Sequence, residues 1–316
     1  MKKALPSPAK WGRAYNMIKV AYSDIFKYDV PERHRFPMQK YPMIAARLLA
    51  EGTLTQANFF APQRLSEDEI LTTHTQRYWQ HLKQQTLPAK DARAIGFEMT
   101  PRLVERERVI AHGTYECALF AKQFGVALNI AGGTHHAFAD HGEGFCVFND
   151  VAVASNLLLA RGQATQILTV DLDVHQGNGT AHLMANEPRV FTFSMHGAKN
   201  YPFRKQASDL DIDLPNETGD DAYLAILMDT LPALIAKVKP DMLFYQSAVD
   251  VLATDKLGKL ALTRDGCAKR DAFVFSQAKA HGIPVAVVMG GGYSENIDDV
   301  VEAHCNTFRI AKRLYE

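Results

Sequence analysis

Apolar residues along this chain fall into short continuous runs, separated by longer stretches in which they recur every three or four positions. The runs Val126–Ile130, Ile167–Val170, Val190–Phe193, Met242–Tyr245 and Val285–Met289 are rich in β-branched residues and scarcely alternate. Strands read this way when a parallel sheet is covered on both faces. Between the runs lie helical patterns. Leu103, Ile110, Cys117 and Ala121 share one face, and Gly125 follows as a stop. Strands alternating with helices predict a wound α/β sheet. No Pro/Gly/Ser-rich linker, charge block or fixed-period repeat divides the chain, so one α/β domain over residues 1–316 is expected.

In such sheets ligands sit beyond the carboxyl ends of the strands, and the unusual residues follow those ends. Ile130 is followed by Ala131-Gly132-Gly133-Thr134-His135-His136, and Val170 by Asp171-Leu172-Asp173-Val174-His175-Gln176-Gly177-Asn178-Gly179. Tyr245 leads through Gln246-Ser247-Ala248-Val249 to Asp250, and Met289 leads into Gly290-Gly291-Gly292-Tyr293. Four strand ends thus deliver polar residues to one rim.

In extended backbone, Asp171, Asp173 and His175 would point to one side. Two carboxylates and an imidazole at the end of an apolar strand are costly unless a cation binds them. A solvated turn is the plain alternative. With Asp250 the set becomes Asp173, His175 and Asp250. Three protein ligands leave one position open, as in a catalytic zinc site, though iron or manganese also suits mixed N/O ligation. A lone histidine is more often a satisfied core residue, but the tandem His135-His136 beside a metal reads as acid/base machinery. The Gly290–Tyr293 turn lacks both the P-loop ending and the dinucleotide fingerprint. Taken alone it is a flexible turn; beside a metal it offers the Tyr293 hydroxyl to a substrate carbonyl. Gly142-Glu143-Gly144-Phe145-Cys146-Val147-Phe148-Asn149 reads as a tight loop with a helix start near Asn149, and Cys146 as a small buried hydrophobe.

Composition narrows the field. Lys+Arg and Asp+Glu each total 35, which leaves no basic excess for nucleic-acid binding. Cys117, Cys146, Cys267 and Cys305 are scattered without a C-x-x-C pair, which fits reduced thiols. No apolar h-region follows Met1-Lys2-Lys3 and no long apolar window spans a membrane, so a cytoplasmic location is expected.

Together and in this order, the segments resemble the histone deacetylase family, which has the arginase/deacetylase fold. The likeness runs from His34-Arg35-Phe36-Pro37-Met38 through His74, Gly113-Thr114, the tandem histidines, Asp171–Gly179 and Ser194-Met195-His196 to Asp250 and Gly290–Tyr293. Gln176 and the stretch Asp250–Gly258 are most similar to the class IV branch and its bacterial relatives. The resemblance implies a single three-layer α/β/α domain with a mainly parallel sheet of about eight strands. It implies zinc on Asp173, His175 and Asp250, and His136 as general base and then acid beside a more electrostatic His135. Asp171 would orient His135, and Asn178 would orient His136. Some family members carry Asp where Asn178 stands, which leaves His136 here without a direct carboxylate partner. Tyr293 would donate to the developing oxyanion. Phe145 and Tyr201 would wall a narrow tunnel, and the Gly144 carbonyl would accept from the scissile N–H. A structural potassium is implied near Asp171, Asp173, His175, Ser194 and Met195.

The expected activity is hydrolysis of an acyl amine, with acyl-lysine in proteins ahead of acetylpolyamines and other small acylated amines. A two-manganese ureohydrolase of the same fold would need more bridging acids than Asp250-Val251-Leu252 offers. A silent acyl-lysine binding module would have no use for His135, His136 and Tyr293. The segment Lys90–Phe97 is placed at the tunnel mouth.

Overall fold

In the computed structural model, residues 17–316 are described, and the lysine-led N-terminus lies outside them. Eight strands, β1 (Lys19–Ala21), β2 (Phe59–Phe60), β3 (Val126–Asn129), β4 (Ile167–Asp171), β5 (Val190–Gly197), β6 (Leu210–Leu214), β7 (Met242–Gln246) and β8 (Val285–Val288), form one sheet. Their order is β2-β1-β3-β8-β7-β4-β5-β6, and every pairing is parallel. All five strands expected from continuous apolar runs are present. The edge strands β2 and β6, and β1 next to β2, carry no such run. β1 and β2 are too short to show a pattern, and β6 reads Leu-Asp-Ile-Asp-Leu because only one side of it is sheltered.

Helices cover the sheet in two layers. α5 (Pro101–Phe124) packs on α6 (Asp150–Ala160), while α10 (Ile297–Tyr315) packs between α1 (Lys40–Ala50) and α9 (Arg264–Ala280), and α9 meets α8 (Asp220–Val238). The remaining helices are α2 (Glu67–Ile70), α3 (Gln76–Gln84), α4 (Ala89–Ile95) and α7 (Asn178–Met184). Leu103, Ile110, Cys117 and Ala121 of α5 are all buried, and the helix ends at Gly125 as its sequence predicts. One contiguous apolar cluster runs from β1 to Tyr315. None of the described helices is long and apolar enough to cross a membrane. β3, β8, β7 and β4 are consecutive neighbours at the centre of the sheet. Their carboxyl ends therefore open side by side, and the four polar loops meet over them.

Candidate active site

At the end of β4, Asp171 lies in register with Ser194 of β5 on one side and Gln246 of β7 on the other. The chain does not stay extended beyond this point, contrary to the period-two expectation. Asp171 Oδ1 accepts from the Asp173 N–H at 3.1 Å, and Asp173 Oδ1 accepts from the His175 N–H at 2.9 Å. Each acid thus bends the backbone two residues on, which buries Leu172 and Val174 while Asp173 and His175 turn inward. Asp250 arrives from the loop after β7 and accepts from the Val174 N–H at 3.0 Å.

These turns bring Asp173, His175 and Asp250 together, buried, with their ligand atoms within 4.8 Å of one another. His175 Nδ1 lies 3.0 Å from Asp173 Oδ1 and 3.1 Å from Asp250 Oδ2. Burial and the neighbouring Asp173 push the Asp250 carboxyl up to about 7. Burial disfavours charge on His175 as well, but its hydrogen bonds to both acids outweigh this and raise it to about 10. Two buried carboxylates held against each other call for a positive charge between them. One divalent ion meets that need with a donor set of the right kind. The third loop leaves room for it: a Cβ on Gly291 would lie 1.8 Å from Asp250 Oδ2, and the Gly291 N–H donates to Asp173 Oδ2 at 2.9 Å.

The tandem histidines follow β3 in a turn fixed by Asp150 at the start of α6. The Asp150 carboxylate accepts from the Gly133 N–H at 3.0 Å, the Thr134 N–H at 2.8 Å and the Thr114 hydroxyl at 2.6 Å. His135 Nδ1 lies 2.7 Å from Asp171 Oδ2. His136 Nδ1 lies 2.6 Å from Asn178 Oδ1, and Asn178 Nδ2 donates to Glu143 Oε1 at 2.7 Å. The two imidazoles are driven apart. Burial disfavours charge on both, but Asp171 and Asp173 outweigh it at His135 and raise its pKa. At His136, burial and the nearby His135 and His175 push the pKa well below 6.5.

Above the acids stands an aromatic passage. Phe145 meets Phe36 at 5.4 Å, Phe97 at 5.3 Å and Tyr293 at 6.1 Å between ring centroids. Tyr201 lies edge-on to His136 at 4.9 Å. The loop carrying Phe145 is clamped by Gly144 N–H to Ala94 O at 3.0 Å and Phe145 N–H to Ile95 O at 2.8 Å. These bonds hold Phe145 at φ 69°, a left-handed conformation that a bulky residue rarely adopts. Gly144 sits against the His136 ring, since a Cβ there would lie 2.7 Å from His136 Cδ2. Burial and the neighbouring acids push the Tyr293 hydroxyl well above its usual range, so it keeps its proton.

A family model described as "Histone deacetylase domain" matches residues 34–308. The chain belongs to the histone deacetylase family. It is similar to an uncharacterized protein of Picosynechococcus sp., 43% identical over 94% of this chain and 99% of that one. It is also similar to histone deacetylase 2 of Arabidopsis thaliana, 28% identical over 90% of this chain and 76% of the other. The solved HDA15 HD domain shares the fold, with a TM-score of 0.76 at 19% identity over 93% and 90% of the two chains. Deacetylase chemistry is therefore the family's ground, and the buried Asp–His–Asp cluster is a site that can hold a metal.

The structure brings the sequence-derived residues together in one place: Asp173, His175 and Asp250 at the base, His135 and His136 beside them, and Tyr293, Gly144, Phe145 and Tyr201 above. Asp171, Ser194 and Met195 lie buried at the ends of β4 and β5. Of the segment Lys90–Phe97 placed at the mouth from the sequence, Arg93 to Gly96 line the cavity above Tyr201. Burial pushes the Cys146 thiol well above its usual range, in keeping with a packing role.

Four residues escaped the sequence reading. Glu143 stands behind Asn178. Gln246 Nε2 reaches Asp173 Oδ2 at 3.2 Å. Asp255 accepts from the Tyr293 N–H at 2.6 Å. Lys40, fully buried, donates to Gly290 O at 3.0 Å with its ammonium 5.8 Å from the Tyr293 ring centre. Burial lowers Lys40 to about 8. Lys40 carried a signal that went unread, because a lysine on the apolar face of a helix needs a buried partner. The other three had none, since only the fold brings them near the site.

Proposed function

We propose that this chain is a zinc-dependent deacylase that hydrolyses the amide of acyl-lysine in proteins, working as a single catalytic domain. The observation carrying the proposal is the buried Asp173–His175–Asp250 cluster, faced by a histidine held neutral and a tyrosine holding its proton at the foot of an aromatic passage. A zinc ion held by these three residues would supply Lewis-acid polarisation of the carbonyl and a more acidic water.

The chain's own residues do the rest. Phe145 and Tyr201 grip the extended acyl-amine chain, and the Gly144 carbonyl accepts from the scissile N–H. Asn178 Oδ1 accepts the proton on His136 Nδ1, which leaves Nε2 as the free base. Glu143 fixes the Asn178 amide in that sense, because its carboxylate oxygen takes the Nδ2 hydrogen and leaves Oδ1 to the histidine. His136 takes a proton from the attacking water and returns it to the leaving nitrogen, giving a carboxylate and a free amine. The Tyr293 hydroxyl donates to the oxygen that becomes negative, a contribution of about 3–4 kcal/mol for one such donor. His135, paired with Asp171, keeps positive charge beside the reaction. Asp171, Asp173, His175, Ser194 and Met195 would surround a structural potassium. Gln176 bridges to Gln206 and Asp211, and with Asp250–Gly258 it supports a place near the class IV branch.

A panel of acyl amines varying acyl length and carrier, assayed for carboxylate release, tests the reading. Release from acyl-lysine peptides is expected. Release only from acetylpolyamines or other small acylated amines would overturn the protein-directed substrate.

A further inference from the structure

The overall neutrality of the chain conceals an uneven surface. The mouth above Tyr201 and Phe145 encloses about 390 Å³ and is lined by the exposed cations Arg35, Arg93, Lys199 and Lys259, with no Asp or Glu among its lining residues. They come from four separate segments: the loop before α1, helix α4, the loop after β5 and the loop after β7. None of the four makes an ion pair among the described residues. Residues 1–16 contain no Asp or Glu, so they bring no counter-charge. Arg35 is shared with an adjoining mixed groove that holds Asp29, Glu32 and Glu295 beside Arg33 and Lys256, whereas Arg93, Lys199 and Lys259 line the mouth alone.

Like charges gathered at the rim of a narrow passage repel one another, and they focus a positive potential on whatever enters. Lys259 Nζ donates to the Lys199 backbone carbonyl at 3.0 Å, which holds the Lys259 ammonium against the loop that carries Lys199. Phe203, 89% exposed, stands at the same mouth as an apolar contact. A lysine whose acyl group lies at the base of the passage leaves its neighbours in the peptide against this ring.

Resting on the deacylase reading, we infer that the mouth selects acyl-lysines whose flanking residues are acidic, and that it rejects polycationic carriers such as acetylpolyamines and strongly basic tails. The selection acts through long-range attraction and the rim contacts, so it falls with salt. The screening length is about 10 Å at 0.1 M and about 3 Å at 1 M.

The test compares three peptides that share one acyl-lysine and differ only in flanks of Asp/Glu, Ser/Gly or Lys/Arg. At low salt kcat/KM should fall from acidic to neutral to basic, with about tenfold or more between the extremes. The ratio should shrink toward one in 1 M NaCl. Arg93→Glu, and the double variant Arg93→Glu/Lys199→Glu, should erode or reverse the acidic-over-basic ratio with the melting temperature unchanged. Equal rates on all three peptides at low salt, or faster turnover of the basic one, would overturn the selectivity while leaving the deacylase reading intact. No hydrolysis of any peptide, the neutral one included, would overturn both.

Discussion

Removing the Glu143 carboxylate tests how His136, the proposed base, is held. The Asn178 amide has two orientations of nearly equal shape, related by half a turn. In the observed one, Oδ1 faces His136 Nδ1 at 2.6 Å and Nδ2 faces Glu143 Oε1 at 2.7 Å. The flipped amide would set Nδ2 against His136 Nδ1, move the imidazole proton to Nε2 and leave no base facing the substrate. A hydrogen bond to a carboxylate contributes about 1.5–3 kcal/mol. Glu143 is half-buried, so solvent screening reduces this to about 1–1.5 kcal/mol. Glu143→Ala should therefore lower kcat/KM about five- to tenfold, with metal content and melting temperature unchanged. Glu143→Gln keeps an acceptor for Nδ2 and should recover most of that loss. The assay is steady-state hydrolysis of an acyl-lysine peptide by the zinc-loaded protein. Full activity in Glu143→Ala with metal and fold intact would refute the idea that Glu143 sets the amide.

In the double variant Glu143→Gln/Asn178→Asp a carboxylate faces His136 directly, which should raise the acidic limb of kcat/KM by about 1–3 pH units; an unmoved limb would count against His136 as the base. In the native protein that limb should lie below pH 6.5, because burial and the neighbouring histidines depress His136, and a pH-rate profile checks it. His136→Ala and Tyr293→Phe should keep their metal yet lose most activity, and their losses should not add; loss of metal in either would make that residue a ligand. His74 is held neutral, pushed by burial from 6.5 to about 4, with Nδ1 on Phe138 O and Nε2 accepting from the Asn149 N–H. The unfolded chain binds that proton first, so the contribution is whole above pH 6.5 and lost as pH falls, reaching about 3 kcal/mol by pH 4. His74→Asn should lower the slope of unfolding free energy against pH in that window by about one proton, measured by denaturant melts; an unchanged slope would be contrary.

Much of the site was legible because its chemistry is dense in a few strand-end segments. Asp173, His175, Asp250 and the histidine pair announce themselves as polar residues where apolar strands stop. Their route into place was misread: the acids do not alternate along a strand but bend the chain by accepting its N–H groups. Glu143, Gln246 and Asp255 were illegible for a different reason. Each matters only through a neighbour 35, 73 or 38 positions away, and nothing local distinguishes them from turn or strand residues. The central sheet was readable from continuous apolar runs, whereas β1 and β2 are too short to carry one and one-sided shelter erases it from β6.

The most direct test of the account is metal stoichiometry against activity. Protein stripped with a chelator and titrated with zinc should take up one ion per chain, and carboxylate release from an acyl-lysine peptide should rise in proportion to it. Asp250→Ala, which removes one of the three proposed ligands, should lose both together. Two ions per chain at full activity, or an Asp250→Ala protein that binds zinc and turns over normally, would contradict it.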